Sequence, residues 1–195
     1  MKNIFSIFIF SAIFINSFAQ EKKTVEAKIT AEEMKLYDLI MKYRKSKNLP
    51  AIPLSKSLTY VAQEHCKDLS INKPDLKNGC NPHSWCDKGK WKGCCYTNDH
   101  KQSKCMWDKP RELTNYEDDG FEIAAGSSDP QYKDFIMTAE YALESWKKSM
   151  HHNNVILNKD IWTKMKWSAI GIGIYNGFAV VWFGKSPDKD GEPDK

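Results

Sequence analysis

Beyond Ile15 the chain has no apolar run approaching the roughly 20 residues that cross a bilayer, so no membrane-spanning helix is expected. Nor does it carry charge of one sign: 29 Lys and Arg are mixed with 25 Asp and Glu, a net charge of +4 with no basic stripe standing out. That balance argues against nucleic acid as the main partner, because proteins that bind it gather positive charge on one face. The six cysteines contain no paired CxxC units, which argues against a cysteine-bound zinc cluster. No nucleophile with an attendant base is visible either.

What is present begins with an export signal. Lys2 gives a positive start, Ile4 to Ile15 is almost entirely apolar, and Ser17-Phe18-Ala19 approximates a small-x-small cleavage pattern. Residues 1–19 are therefore expected to be a secretory signal, cut after Ala19. With no cysteine near the cut, a lipid anchor there is not expected, and the location is secreted or periplasmic. The remainder is long enough for one soluble domain that buries about 70% of its unfolded surface. In an exported chain, Cys66, Cys80, Cys86, Cys94, Cys95 and Cys105 read as three disulfides whose pairing stays open. Adjacent Cys94 and Cys95 are expected to bond elsewhere than to each other.

Thr30-Ala31-Glu32-Glu33 is a capping box that opens a first helix, with Met34, Tyr37, Ile40, Met41 and Arg44 on one face. Pro50 and Pro53 stop it near Asn48. A second helix follows Ser55 or Ser57 and buries Leu58, Val61, Ala62, His65 and Leu69, which makes His65 a core-facing histidine. From Ile71 to Asp119 the pattern is irregular, and disulfides are the means of keeping it ordered. Trp85, Trp91 and Trp107 in this stretch are expected to pack around the bridges rather than stack on a ligand.

A third helix runs from near Pro130 or Thr138 to Met150, with Phe135, Ala139, Ala142, Leu143 and Trp146 as its core stripe and Lys147 and Lys148 in its last turn. It is expected to end in the pair His151 and His152, before a turn through Asn153 and Asn154. Ile170, Ile172 and Ile174 then alternate with Gly171 and Gly173. Asn176-Gly177 is a strong hairpin signal, and Phe178 to Phe183 returns as an apolar strand covered on both faces. The glycine side of the first strand leaves room for a close neighbour. Helices before a covered antiparallel sheet predict a layered α/β sandwich. Ser186 to Lys195 reads as a charged, frayed tail, whose Asp188, Asp190 and Gly191 fall short of a calcium loop.

Several segments, in order, resemble the CAP superfamily (cysteine-rich secretory, antigen 5 and pathogenesis-related 1 proteins) in its bacterial SCP-like form. They are Tyr43-Arg44 with Asn48-Leu49, Leu58 to Leu69, Pro82-His83-Ser84-Trp85, Phe121-Glu122-Ile123-Ala124, Ala142-Leu143 with Trp146 and His152 to Asn158, and Ile170 to Gly173 with Val181 to Gly184. The resemblance implies a three-layer α–β–α sandwich over residues 30–185, with a central, mostly antiparallel sheet and a large cleft. His83, Glu122 and His152 match three of the four groups that line the cleft in that family. Two departures matter: Phe121-Glu122-Ile123 replaces Gly-Glu-Asn, and Ser149 stands where eukaryotic members carry a second acid.

Those three residues are the expected cleft. His83 and His152 are the expected donors to zinc or another divalent metal, the one cofactor implied, with Glu122 as a third ligand or as the group fixing a histidine's tautomer. The leading expectation is an exported module that binds an apolar or peptide-like ligand, a lipid, peptide or cell-wall component, rather than an enzyme. The alternatives are a metal-assisted hydrolase acting on peptide or cell-wall material and an interaction domain that works through its loops.

Overall fold

A computed structural model describes residues 23–195; the expected signal segment, residues 1–19, lies outside the described residues. Helix α1, Ala31–Lys45, starts at the capping box: Thr30 Oγ1 accepts from the Glu33 N–H and Glu33 Oε2 from the Thr30 N–H. Glu33 is buried and reaches further, since its Oε1 accepts from the Ile174 N–H at 3.0 Å. One acid thus caps a helix and fastens it to a strand. Helix α2, Lys56–Asn72, is capped by Ser55 and buries the apolar face read from its periodicity. Two helices of five residues, α3 (Ser103–Trp107) and α4 (Lys109–Leu113), interrupt the irregular stretch. Neither is long enough to show a helical period, so neither was visible in the sequence.

Strand β1, Gly120–Ala125, follows. Helix α5, Ala139–Lys148, then begins at the Thr138 cap and ends at Ser149, whose extended backbone both stops it and caps a further helix, α6, Met150–Ile156. The expectation of one helix ending in the histidine pair is corrected here: His151 and His152 sit in the first turn of α6. His151 is exposed there and holds no helix end. The domain closes with β2, Ala169–Tyr175, and β3, Phe178–Gly184, joined through Asn176 at φ 49°.

The sheet order is β1-β3-β2, antiparallel throughout. Side chains alternate across it. Phe121, Ile123, Ile170, Ile172, Val181 and Phe183 join Leu36 and Ile40 of α1 and Trp146 of α5 in one core. Ala124, Val180 and Trp182 join Leu58, Val61 and Ala62 of α2 in the other. This is the α–β–α sandwich. Close packing of α2 requires the two glycines of β2: a Cβ on Gly171 would stand 2.0 Å from the Leu58 carbonyl carbon, and one on Gly173 2.4 Å from that of Ala62. The room left on that side of the strand is filled by a helix backbone.

Two expectations are corrected. The bridges are two, Cys80–Cys95 and Cys94–Cys105, and Cys66 and Cys86 are free thiols. Cys66 lies fully buried on the sheet side of α2, where burial pushes its thiol up, while Cys86 sits by Asp68 outside the core. The tail does not fray. Asp188 accepts from Ser55 Oγ (2.7 Å), the Ser57 N–H (2.8 Å) and Ser57 Oγ (3.0 Å), and the backbones of Ala27, Ile29 and Lys56 pair with Asp194 and Gly191. Its charge, read as a sign of solvation, is a carboxylate seated at a helix N-terminus. No helix among the described residues is long and apolar enough to cross a membrane.

Candidate functional site

The site lies along β1, the edge strand whose outer side pairs with no other strand of the sheet. Phe121 and Ile123 point to the core beside α1, so the alternation of the strand turns Glu122 toward the α2 layer. Its carboxyl group is completely buried, and each oxygen has a ring nitrogen against it: Oε2 lies 2.5 Å from His65 Nδ1 and Oε1 2.6 Å from His83 Nδ1. Burial raises a carboxyl pKa, but the charge and hydrogen bonds of His65, then those of His83, outweigh it and hold Glu122 below its usual range.

His65 stands at the middle of the buried face of α2 and has no exposed side-chain surface. Its Nε2 lies 3.0 Å from the Ser84 carbonyl oxygen, and its ring stacks on Trp85 at 4.2 Å and 8°. A carbonyl can only accept, so Nε2 donates to it, and Nδ1 faces Oε2 of the buried Glu122 carboxyl group. The sequence reading placed His65 correctly in the interior and missed its partnership with Glu122. A histidine on an otherwise apolar stripe was the available signal, since a buried imidazole needs a polar partner.

His83 is positioned by the cystine-bearing loop. Asn81 Oδ1 accepts from its N–H at 3.0 Å, the Ser84 N–H closes the turn onto the Asn81 carbonyl, and the next residue, Trp85, pairs its backbone with Cys94. Its side chain is 19% exposed, packed edge-on against Tyr96. With Nδ1–H donated to Glu122, a neutral His83 presents Nε2 as a bare acceptor.

His152 approaches from α6. Its backbone N–H reaches Ser149 Oγ at 3.5 Å, so the residue at the position of the family's second acid caps the helix that carries the histidine. Burial, then the charges of His83 and His151, push His152 down to about 4, against an opposing pull from Glu122. The imidazole is therefore uncharged at neutral pH and shares the neighbourhood of His83 and Glu122. Of the acids near it in sequence, Glu140 pairs with Lys35 and Glu144 with Lys147, both on the surface.

These donors make a poor fit to a resident metal. Both Glu122 oxygens are taken by ring nitrogens and His65 is sealed in. A cation would find His83 Nε2 and His152, fewer than the three protein ligands of a catalytic zinc site. Among the described residues no group of three or more His, Cys, Asp and Glu is placed to hold a metal ion.

A groove of about 640 Å³ lies elsewhere. It is lined by Pro50, Leu54, Met165 and Trp167 at the end of α1, with Arg44 at its side. That guanidinium donates to the carbonyls of Pro50 and Ile156 and to Asn158 Oδ1, a clamp between α1 and the end of α6. His83, Glu122 and His152 do not line this groove. Hydrogen-bond geometry specifies chemistry and concavity alone does not, which makes the histidine corner the candidate site.

No family model matches the sequence, and no curated protein matches it. Solved structures do. An extracellular protein containing a SCP domain from Bacillus anthracis is 18% identical with a TM-score of 0.52, over 80% of this chain and 40% of that one. An outer surface protein of Borrelia burgdorferi is 20% identical with a TM-score of 0.51, over 83% of this chain and 98% of that one. At such identities the likeness establishes the architecture: the chain has the fold of the bacterial SCP-like, or CAP, domains. It spans 40% of the length of the Bacillus protein.

Proposed function

We propose that the protein is an exported binding module whose His83–Glu122–His152 corner takes a hydrogen-bond-donating group of a peptide-like or cell-wall ligand. One observation carries the reading: Glu122 fixes His83 through Nδ1, which leaves Nε2 as an oriented acceptor beside the uncharged His152. Fixing the tautomer in advance lowers the cost of ordering the site on binding. His65 balances Glu122 from behind, so the acid stays ionised and aligned when the ligand arrives. Export accords with the apolar leader read in the sequence and with the extracellular and outer-surface character of the two similar proteins.

The test is retention of the purified protein on isolated peptidoglycan sacculi, with wild type, His83→Ala and His152→Ala compared. Retention should fall about tenfold in each variant, the loss of one well-placed hydrogen bond to a buried partner. Equal retention by all three would sink the corner and favour an interaction domain acting through its loops. Turnover of the sacculi that disappears in Glu122→Gln would replace binding with hydrolysis.

A further inference from the structure

The cystine loop carries a second cavity, of about 500 Å³, whose lining shares no residue with the histidine corner. Lys73, Lys77 and Lys88 stand around it with Asn72, and Asp87 is the one acid in its lining. All three lysines are exposed, and among the described residues no ion pair or hydrogen bond occupies their ammonium groups. Trp85 also lines the cavity, at 2% exposure, and its indole Nε1–H has no hydrogen-bond partner. The Nε1 atoms of Trp146 and Trp182 and the Thr59 hydroxyl are also orphaned, but none of those side chains lines this cavity. A buried indole N–H ordinarily finds an acceptor. The Cys80–Cys95 bridge also lines the cavity, and Cys94–Cys105 contributes Cys94, so cross-linked backbone holds the wall.

A lining residue whose orphaned donor is buried and three unpaired cations around the cavity share one complement. We infer that this cavity is a binding site for an oxyanion, a phosphate- or carboxylate-bearing group of a larger ligand. The lysines supply attraction from outside, and the Trp85 N–H, buried in the wall, would gain its missing partner when an acceptor enters and the wall gives way to it. Attraction of this kind is screened by salt, so the site works at moderate ionic strength and loses affinity as salt rises. Because its ligand chemistry and lining differ from those of the histidine corner, the two can succeed or fail separately.

The experiment uses tripolyphosphate and citrate as probes, titrated into the protein at low salt, with calorimetry for affinity and a proton–nitrogen spectrum for the indole N–H signals. Trp85→Phe identifies the Trp85 signal. Both probes should bind, and that signal should shift with saturation. Lys73→Gln, Lys77→Gln and Lys88→Gln together should weaken binding about tenfold. A control with Lys133→Gln, Lys159→Gln and Lys164→Gln removes equal charge elsewhere and should change it less than about twofold. Tripolyphosphate binding alone would restrict the site to phosphates, and citrate binding alone to carboxylates. An unmoved Trp85 signal, or equal losses in the two triple variants, overturns the site in favour of diffuse attraction to lysines.

Discussion

At the scale of single residues, the chemistry lies in two groups that protonate unusually. The folded protein holds His152 at about 4, below the 6.5 of a free histidine. Between those values the unfolded chain binds the proton and the folded one does not, so unfolding is favoured as pH falls through that window. Stability from this source is complete above about 6.5 and declines toward 4. Melting temperature should therefore drop from pH 7 to pH 5, and the slope should flatten in His152→Ala; parallel curves would contradict the burial of the ring. Glu122 runs the other way in type but to the same side. Its lowered pKa adds stability above the ordinary 4.5, which is lost as pH falls through the folded value. Glu122→Gln removes the buried carboxylate that both ring nitrogens face and should cost about 3 kcal/mol in denaturant unfolding. A cost near zero would mean that the carboxylate does not hold the two rings in place.

At the scale of elements, legibility followed the length of the pattern. Helices α1 and α2 were readable because each repeats its apolar residues over three or more turns between clear stop signals. The hairpin was readable from Asn176-Gly177. Helices α3 and α4 were not, and the break at Ser149 was hidden because serine caps a helix only if the backbone there becomes extended, which is a tertiary decision. Gly171 and Gly173 show the reverse case: the sequence announced a close neighbour, and the fold supplied α2. Gly171→Ala would drive a methyl into the Leu58 backbone, which cannot rotate aside as a side chain can. Destabilisation of about 3 kcal/mol is expected, visible as a lower urea midpoint. A neutral result would show that α2 can slide on the sheet. The tail makes a sharper test, because its charge had suggested solvation. Removing residues 188–195 strips the Asp188 carboxylate from the start of α2 and the backbone bonds to Ala27, Ile29 and Lys56. Loss of the cap alone should cost about 1 kcal/mol, whereas a frayed tail could be removed without effect.

At the scale of the molecule, the candidate site joins four regions of the chain: α2, the cystine loop, β1 and α6. Two histidines and the acid could be named from the sequence, each in a suggestive local setting. His65 could not, because only folding shows that its buried face meets a carboxylate and not more apolar side chains. The cysteines divide the same way. Four lie in the loop after α2 and cross-link it, and the two left over sit in different surroundings. Cys66 is sealed against the sheet at 0% exposure, and Cys86 is half-buried at the loop cavity. A thiol reagent should therefore label one cysteine in the native protein and two after denaturation without reductant, with mass spectrometry of digested protein placing the native label on Cys86. Burial, and at Cys86 the neighbouring Asp68 as well, raises both thiols, so labelling of Cys86 should be slow near neutral pH and accelerate in base. Reduction of the two bridges should free the loop and remove about 2–4 kcal/mol, while the sheet and helices α1, α2 and α5, none of which carries a bridged cysteine, keep their far-ultraviolet signature. That loop also carries His83, so reduction should abolish retention on sacculi well before the fold is lost. If labelling of denatured protein finds no thiol at all, Cys66 and Cys86 are joined, and α2 must rotate its buried face away from the strand that Gly171 and Gly173 were shaped to meet.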